Sequence, residues 1–378
     1  MNFDWTESEQ AKRGAIEALF TPRTVAELDS LETADLPAME IILRAQLRRL
    51  GDAGYLPADA RGAGGDAMGL LACQEVVALA SSPLFLAAEA SARLFGGLVA
   101  LPGGESLDGL VKGPISRGEA IGAVARADAE DGQPTRARID GQEVVLDGAK
   151  AYVTNGPFAD WLAVLAQVDG EVAAAIVPGN ARGLERGERL PTLGLRGLAV
   201  CPVVLEGVRI PRPHLLGPFE DPAPLARLGR QEDLALAVCA AGIARRAFEA
   251  AKAHASEHQR GGKPVVAYQA VRFKLAELLT LVQTAELACR RAAWLVADLG
   301  GPDAWEADTV VRCAKVFSSE AAERVSSSAL QIMAGRGYTT CNPVERAFRD
   351  SQYPSLSGTT STRCRMDIAD AMLERYVP

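Results

Sequence analysis

Two histidines one helical turn apart, with an acid beside the second, offer the first candidate chemistry. His254-Ala255-Ser256-Glu257-His258 fits an H-x-x-E-H pattern. In such a pattern both imidazoles face one zinc ion and the glutamate acts as base. The chain holds only one further histidine, His214, so a third ligand would have to be a carboxylate. Without a supporting motif the reading adopted is a solvated helix end with chance spacing, and no metal site is expected. A second group, the hydroxyl-rich run at 355–362, contains Ser355, Ser357, Thr359, Thr360, Ser361 and Thr362. A serine nucleophile needs an imidazole base at hand, and none is evident in sequence. Ser and Thr before a helix are also the preferred caps. The glycine groups Gly62-Ala63-Gly64-Gly65 and Gly335-Arg336-Gly337 do not open a helix after a strand, so a βαβ dinucleotide turn is not expected.

Three stretches of different texture must position whatever chemistry there is. Residues 1–117 are rich in Ala, Leu, Arg and Glu. They read as short helices over 7–20, 37–51, 69–80 and 84–95, broken by Pro and Gly clusters. Residues 118–220 change to strand character. Asp140-Gly141 and Asp169-Gly170 each sit between two short apolar runs, the signal of a tight hairpin. A further run follows at 203–211, and no helical pattern separates the strands, so the sheet is expected to be mostly antiparallel. Residues 221–378 return to long helices over 234–258, 267–299, 304–334 and 363–375. Leu275, Leu278, Leu279 and Val282 form an apolar stripe at helical spacing. The expected fold class is α+β: an N-terminal helical domain (1–117), a middle antiparallel β-domain (118–220) and a C-terminal four-helix bundle (221–378).

Composition bounds the function. The 378 residues carry a net charge of −8, which argues against a nucleic-acid partner. No run of 18 apolar residues occurs, so no membrane span is expected. The N-terminus is polar and acidic, unlike a signal peptide, and a cytoplasmic location is expected. The seven cysteines form no C-x-x-C pair and read as reduced, mostly buried thiols.

Five motifs in chain order carry a resemblance. Leu146-Asp147-Gly148-Ala149-Lys150-Ala151-Tyr152-Val153-Thr154-Asn155-Gly156-Pro157-Phe158-Ala159-Asp160 resembles the L-x-G-x-K-x-x-I-T-N-G-x-x-A-D signature of acyl-CoA dehydrogenases. Gly194-Leu195-Arg196-Gly197 and Glu206-Gly207-Val208-Arg209-Ile210-Pro211 resemble the end of that family's β-domain. Ala240-Ala241-Gly242-Ile243-Ala244, then Gly262-Lys263-Pro264, Gln269 and Lys274-Leu275-Ala276-Glu277, follow at family spacing. Gln331-Ile332-Met333-Ala334-Gly335-Arg336-Gly337-Tyr338 and Pro343-Val344-Glu345-Arg346-Ala347-Phe348-Arg349-Asp350 are similar to its Q-I-M-G-G-x-G-Y and P-V-E-R-x-x-R-D segments. Residues 58–69 are similar to its N-terminal Gly-rich loop. The resemblance spans essentially the whole chain.

The resemblance implies FAD as cofactor and an acyl-CoA or acyl-carrier-protein thioester as substrate. It also implies electron-transfer flavoprotein as electron acceptor and a homo- or heteromeric dimer or tetramer. In that chemistry a carboxylate takes the α-proton while flavin N5 takes a hydride from Cβ. The thioester carbonyl must be polarised by fixed donors and water kept out. By position, Tyr152 and Thr154 match residues lining the isoalloxazine, with Val124 beside them. Gln331 and Gly335 match contacts to the adenosine half from a neighbouring subunit, Thr359 matches a further cofactor contact, and Gly358 a substrate contact. The departures are specific. The usual base, the Glu of Y-E-G-T, is Ser357, and a hydroxyl is a far weaker base. Ala125 and Arg126 stand where V-T-E has Thr and Glu. The family's A-G-S-D segment is degraded to Ala129-Glu130-Asp131. His258 and Gly261 replace the Arg and Phe of E-R-x-x-F-G, and a mostly neutral imidazole replaces guanidinium poorly on a pyrophosphate. A minority branch carries its base about ten residues before G-[LI]-A, and Glu232 lies ten residues before Gly242. Asp233 follows it where that branch usually has Arg. Glu232 is the expected base, against a reading in which it only favours a helix start. Three alternatives accompany the dehydrogenase: a partner subunit with an incomplete FAD site, a flavin oxidase or monooxygenase relative, and a non-catalytic assembly module.

Overall fold

The computed structural model describes residues 4–57, 66–129, 133–298, 304–340 and 342–375. The glycine-rich segment at 58–65 and the altered positions Glu130 and Asp131 lie outside them. Seven helices lead: α1 (Glu7–Glu17), α2 (Pro22–Ser30), α3 (Leu36–Asp52), α4 (Ala67–Ala80), α5 (Ser82–Glu89), α6 (Gly96–Val99) and α7 (Gly113–Ser116). The first starts on a capping box, Thr6 with Glu9, which satisfies two orphan donors at once. The second starts on Thr21 with proline in its first turn, a start signal that the expected element list lacks. The expected helix over 84–95 is two pieces. α5 ends at Glu89 and a π-helical turn, Ala90–Phe95, carries the chain into α6.

The sheet runs β6-β7-β3-β2-β4-β5-β8, with β1 paired to β4. Its strands are β1 (Gly122–Ala125), β2 (Arg136–Asp140), β3 (Glu143–Thr154), β4 (Trp161–Val168), β5 (Glu171–Pro178), β6 (Leu184–Arg186), β7 (Val200–Pro211) and β8 (Leu215–Leu216). Both expected hairpins form: Asp140 pairs with Glu143 and Val168 with Glu171. Gly141, Asp169 and Gly170 all take positive φ, as such turns require. The sheet is antiparallel except where β1 and the start of β2 run parallel to β4. Side chains alternate as a pleat demands. Leu162, Val164 and Ala166 enter the inner β core, while Ala163 meets Phe95, Leu98 and Ile115 of the helical layer on the other face.

The C-terminal bundle packs α10 (Ala304–Met333) against α8 (Ala223–Glu257), α9 (Gln269–Asp298) and α13 (Ser361–Arg375). Two short helices, α11 (Pro343–Asp350) and α12 (Tyr353–Leu356), precede the last. The start of α8 differs from the expected 234 by three turns. Pro222 stands at the cap and Pro224 in the first turn, where proline fits a helix start. The α9 stripe is narrower than expected: Leu278 and Val282 are buried, but Leu279 is exposed. One apolar core joins the N-terminal helices to the bundle, from Leu43, Leu71 and Phe85 to Ala240, Val282 and Val325. The described cysteines are all free, and all but Cys313 are buried. Among the described residues no helix is long and apolar enough to cross a membrane.

Candidate active site

Much of the long motif on β3 joins the three regions. Lys150 is fully buried, donates to Asp128 at 2.7 Å and to the Arg126 carbonyl at 3.1 Å, and so fixes the chain just after β1. Asn155 sits at φ 63°, a left-handed conformation that Asn tolerates better than most residues. Its amide donates to the Ala87 carbonyl at 2.9 Å and the Gly122 carbonyl at 3.3 Å. Asp160 takes both ends of the Arg44 guanidinium from α3, at 2.9 and 3.1 Å, and the Ile121 N–H at 2.8 Å. Two later motifs meet each other. The Leu195 N–H donates to buried Asp350 at 2.5 Å, and a β-carbon on Gly194 would lie 2.4 Å from the Arg349 backbone. Burial raises the Asp350 carboxyl to about 6, opposed by the Leu195 hydrogen bond.

These joints enclose a cavity of about 610 Å³. One wall is strand: Val124, Arg126, Tyr152 and Thr154. The pleat turns Ala125 the other way, into the β core, so the side chain at that position does not face the cavity. A second wall is α5 with its π turn. A third is the first turns of α8, with Gly229, Glu232 and Leu236, and a fourth is Tyr353, Ser357 and Gly358. Expected residues Val124, Tyr152, Thr154, Glu232 and Gly358 therefore converge, and Ser357 faces the same space.

Glu232 lies in the third turn of α8, which removes the reading that it serves a helix start. Its carboxylate pairs with Arg126 at 2.7 Å. That arginine is half exposed, so the pair costs little to open. Asp233, one residue on, is turned about 100° around the helix and does not line the cavity. It receives Lys315 Nζ at 2.7 Å and the Thr359 N–H at 2.9 Å, while Lys315 also donates to the Ser357 carbonyl at 2.6 Å and to the Thr359 carbonyl. The pair is buried and pins the loop that carries Ser357 and Gly358. Gly358 has φ 61°, and a β-carbon there would lie 2.8 Å from Asp233 Oδ1. Burial raises the Tyr353 hydroxyl above its usual range, opposed by hydrogen bonds to Ser357 and Thr154.

The other expected positions lie elsewhere. Gln331 and Gly335 are exposed at the far end of α10, sixteen residues beyond Lys315 in the case of Gln331, or about 24 Å along a helix. Thr359 contributes backbone groups to the Lys315 clamp and does not line the cavity. His254 and His258 stack at 4.9 Å. Burial, His258 and Arg336 together hold His254 below its usual range. The sequence reading missed Glu89, Arg93, Tyr353 and Lys315. An acid and a base four residues apart on an otherwise apolar helix would have flagged the first two.

The comparisons agree with this geometry. Residues 123–208 match the acyl-CoA dehydrogenase middle domain and 230–373 its C-terminal domain. Human short-chain specific acyl-CoA dehydrogenase, a mitochondrial protein, is 30% identical over 88% of this chain and 83% of its own length. The chain belongs to the acyl-CoA dehydrogenase family. The probable acyl-CoA dehydrogenase YngJ of Bacillus subtilis is 29% identical over 99% of this chain and all of its own. Butyryl-CoA dehydrogenase from Megasphaera elsdenii shares the fold, with a TM-score of 0.86 at 23% identity over 99% of this chain and all of that one. Membership of the acyl-CoA dehydrogenases carries FAD as cofactor and acyl-CoA dehydrogenation as activity. The residues fit half of that cofactor well. Tyr152 is 62% exposed beside the cavity, an aromatic face next to Val124 and the Thr154 hydroxyl, as a flat heterocycle requires. Gln331 and Gly335, which the resemblance matches to the adenosine half, do not line the cavity of the same chain.

Proposed function

We propose that this chain is an acyl-CoA dehydrogenase whose base is Glu232, with its cofactor completed by a neighbouring subunit. The observation that carries the reading is the cavity's inventory. Of its lining residues only Glu89 and Glu232 bear carboxylates. Both Glu89 oxygens are held, by Tyr55 and Gln74. Glu232 is tied only to a half-exposed arginine among the described contacts and is free to take a proton. When bound, FAD supplies the acceptor for the hydride leaving Cβ. Val124, Tyr152 and Thr154 would hold its ring. Glu232 removes the α-proton, and Arg126 moves towards solvent as the acyl group enters. The apolar α5 and α8 walls exclude water, which strengthens every polar interaction inside. The segments 1–117, 118–220 and 221–378, which we read as structural units, each contribute a wall.

An exposed apolar face on α9, formed by Phe273, Leu287 and Trp294, and Tyr338 at 95% exposure, support assembly with further subunits. We read the assembly as a dimer or tetramer. A different partner chain is the second reading, favoured by His258 and Gly261 at the cofactor's far half. An acyl-CoA thioester in lipid breakdown, electron-transfer flavoprotein as acceptor and a cytoplasmic location complete the assignment; free cysteines suit that compartment. The test is anaerobic mixing of the yellow holoenzyme with an acyl-CoA series. Flavin bleaching is expected. Glu232→Gln should slow it by about two to four orders of magnitude with cofactor content unchanged, and an unaltered rate refutes the assignment. A protein that turns yellow only when co-expressed with another chain establishes the heteromer.

A further inference from the structure

One polar group on the cavity wall is not used by this mechanism. Glu89 and Arg93 both line the cavity from α5 and the π turn, and both are nine-tenths or more buried. The turn is held in place from behind. Ser91 Oγ accepts the Gly122 N–H at 2.9 Å, and a β-carbon on Gly122 would lie 2.3 Å from the Phe95 ring, so strand and turn touch directly. The acceptors of the cluster are engaged: Tyr55 Oη donates to Glu89 Oε1 at 2.6 Å, and Gln74 Nε2 to Oε2 at 2.9 Å. The donors are not. Arg93 Nη2 reaches the Tyr55 carbonyl at 2.5 Å, and the guanidinium stacks on the Tyr55 ring at 4.8 Å. Arg93 Nε and Nη1 are buried without any hydrogen-bond partner. Such donors are costly to leave unmet; they have no accessible surface as the side chain stands, but Arg93 lines the cavity, so a rotation of the side chain would turn them to a ligand there.

We infer that this wall is a subsite for an oxygen acceptor on the acyl chain. The substrate is then a CoA thioester carrying a carbonyl or hydroxyl oxygen beyond Cβ, not a plain alkyl chain. Charge chooses the class of oxygen. Glu89 stands 3.9 Å from Arg93 and already balances it, so a neutral oxygen satisfies the donors while a second carboxylate would leave net negative charge in an apolar enclosure. The inference rests on the dehydrogenase reading above for the thioester half of the ligand.

The experiment compares hexanoyl-CoA, 5-oxohexanoyl-CoA and adipoyl-CoA on the FAD-loaded protein. Anaerobic bleaching gives rates, and calorimetric titration of the Glu232→Gln protein, or of the parent where it does not turn the thioester over, gives affinities. The oxo thioester should exceed hexanoyl-CoA by about ten- to a hundredfold in kcat/KM, as a site built to bond an oxygen discriminates against its absence. Arg93→Met should bring that ratio close to one, and Arg93→Lys should retain part of it. A parent ratio near one, a preference for adipoyl-CoA, or a ratio unchanged in Arg93→Met overturns the subsite. An equal loss on all three thioesters also overturns it, since Arg93 would then act on the thioester itself. If no thioester bleaches the flavin, the dehydrogenase reading fails, while the parent's calorimetric preference still decides the subsite and needs no variant that folds.

Discussion

Replacing Lys315 by Met tests the clamp that holds the substrate-facing loop. The lysine is fully buried and Asp233 nearly so. Methionine keeps the unbranched shape and removes the charge, leaving the Asp233 carboxylate in the core with only the Thr359 N–H as a partner shown. Breaking a buried pair from one side costs about 3–5 kcal/mol. The Ser357 and Thr359 carbonyls also lose their Nζ donor. For a chain of this length a loss of that size lowers Tm by roughly 4–6 °C. Asp233→Asn together with Lys315→Met keeps an oxygen for the Thr359 N–H and removes the stranded charge, so it should recover about half of the loss. Differential scanning calorimetry of the holoenzyme reads both. A single variant within 1 °C of the parent, or a double variant no more stable than the single, refutes the clamp. Flavin reduction should slow in the single variant as well, because the loop that it releases carries Ser357 and Gly358.

Two other joints give sharper contrasts. Asn155→Ala loses two amide bonds and the tolerance for φ 63°, so it should cost about 2–3 kcal/mol, while Asn155→Gly restores the backbone freedom and should cost about 1 kcal/mol less; denaturant titration checks the order. Asp350 is held protonated in the folded chain up to about pH 6 against 3.8 unfolded. Between those values the native state binds the extra proton, so this group's contribution falls as pH rises and levels off above 6. Asp350→Asn escapes that loss, and its stability relative to the parent should improve by roughly 1.5 kcal/mol between pH 5 and pH 7.5.

What could be read in advance was what is encoded locally. Asp140-Gly141 and Asp169-Gly170 fix their hairpins through backbone conformations that few other residues adopt, and the helical stripes carry their own period. The start of α8 was misplaced because proline both breaks a helix and begins one. The π turn at 90–95 has no residue signature. The joints were invisible for a different reason: Arg44 and Asp160 are 116 residues apart, Asn155 and Ala87 are 68, and Leu195 and Asp350 are 155.

That separation also divides a single motif between two duties. In the β3 signature Tyr152 and Thr154 face the cavity, but Lys150, Asn155 and Asp160 spend their polar groups on neighbouring regions. A motif of this kind can persist intact in a chain whose base sits elsewhere, as we propose for Glu232. Ser357 and Glu232 face the same cavity from different elements, so transferring the base from one to the other leaves the joints undisturbed. What the transfer requires is a rigid α8 at that turn and a carboxylate free of other duties. Asp233 supplies the first by anchoring the turn to Lys315, and the step of about 100° between neighbouring helix residues leaves Glu232 to the cavity. The acid that looked out of place beside Glu232 is therefore the residue that holds the turn of helix carrying the proposed base.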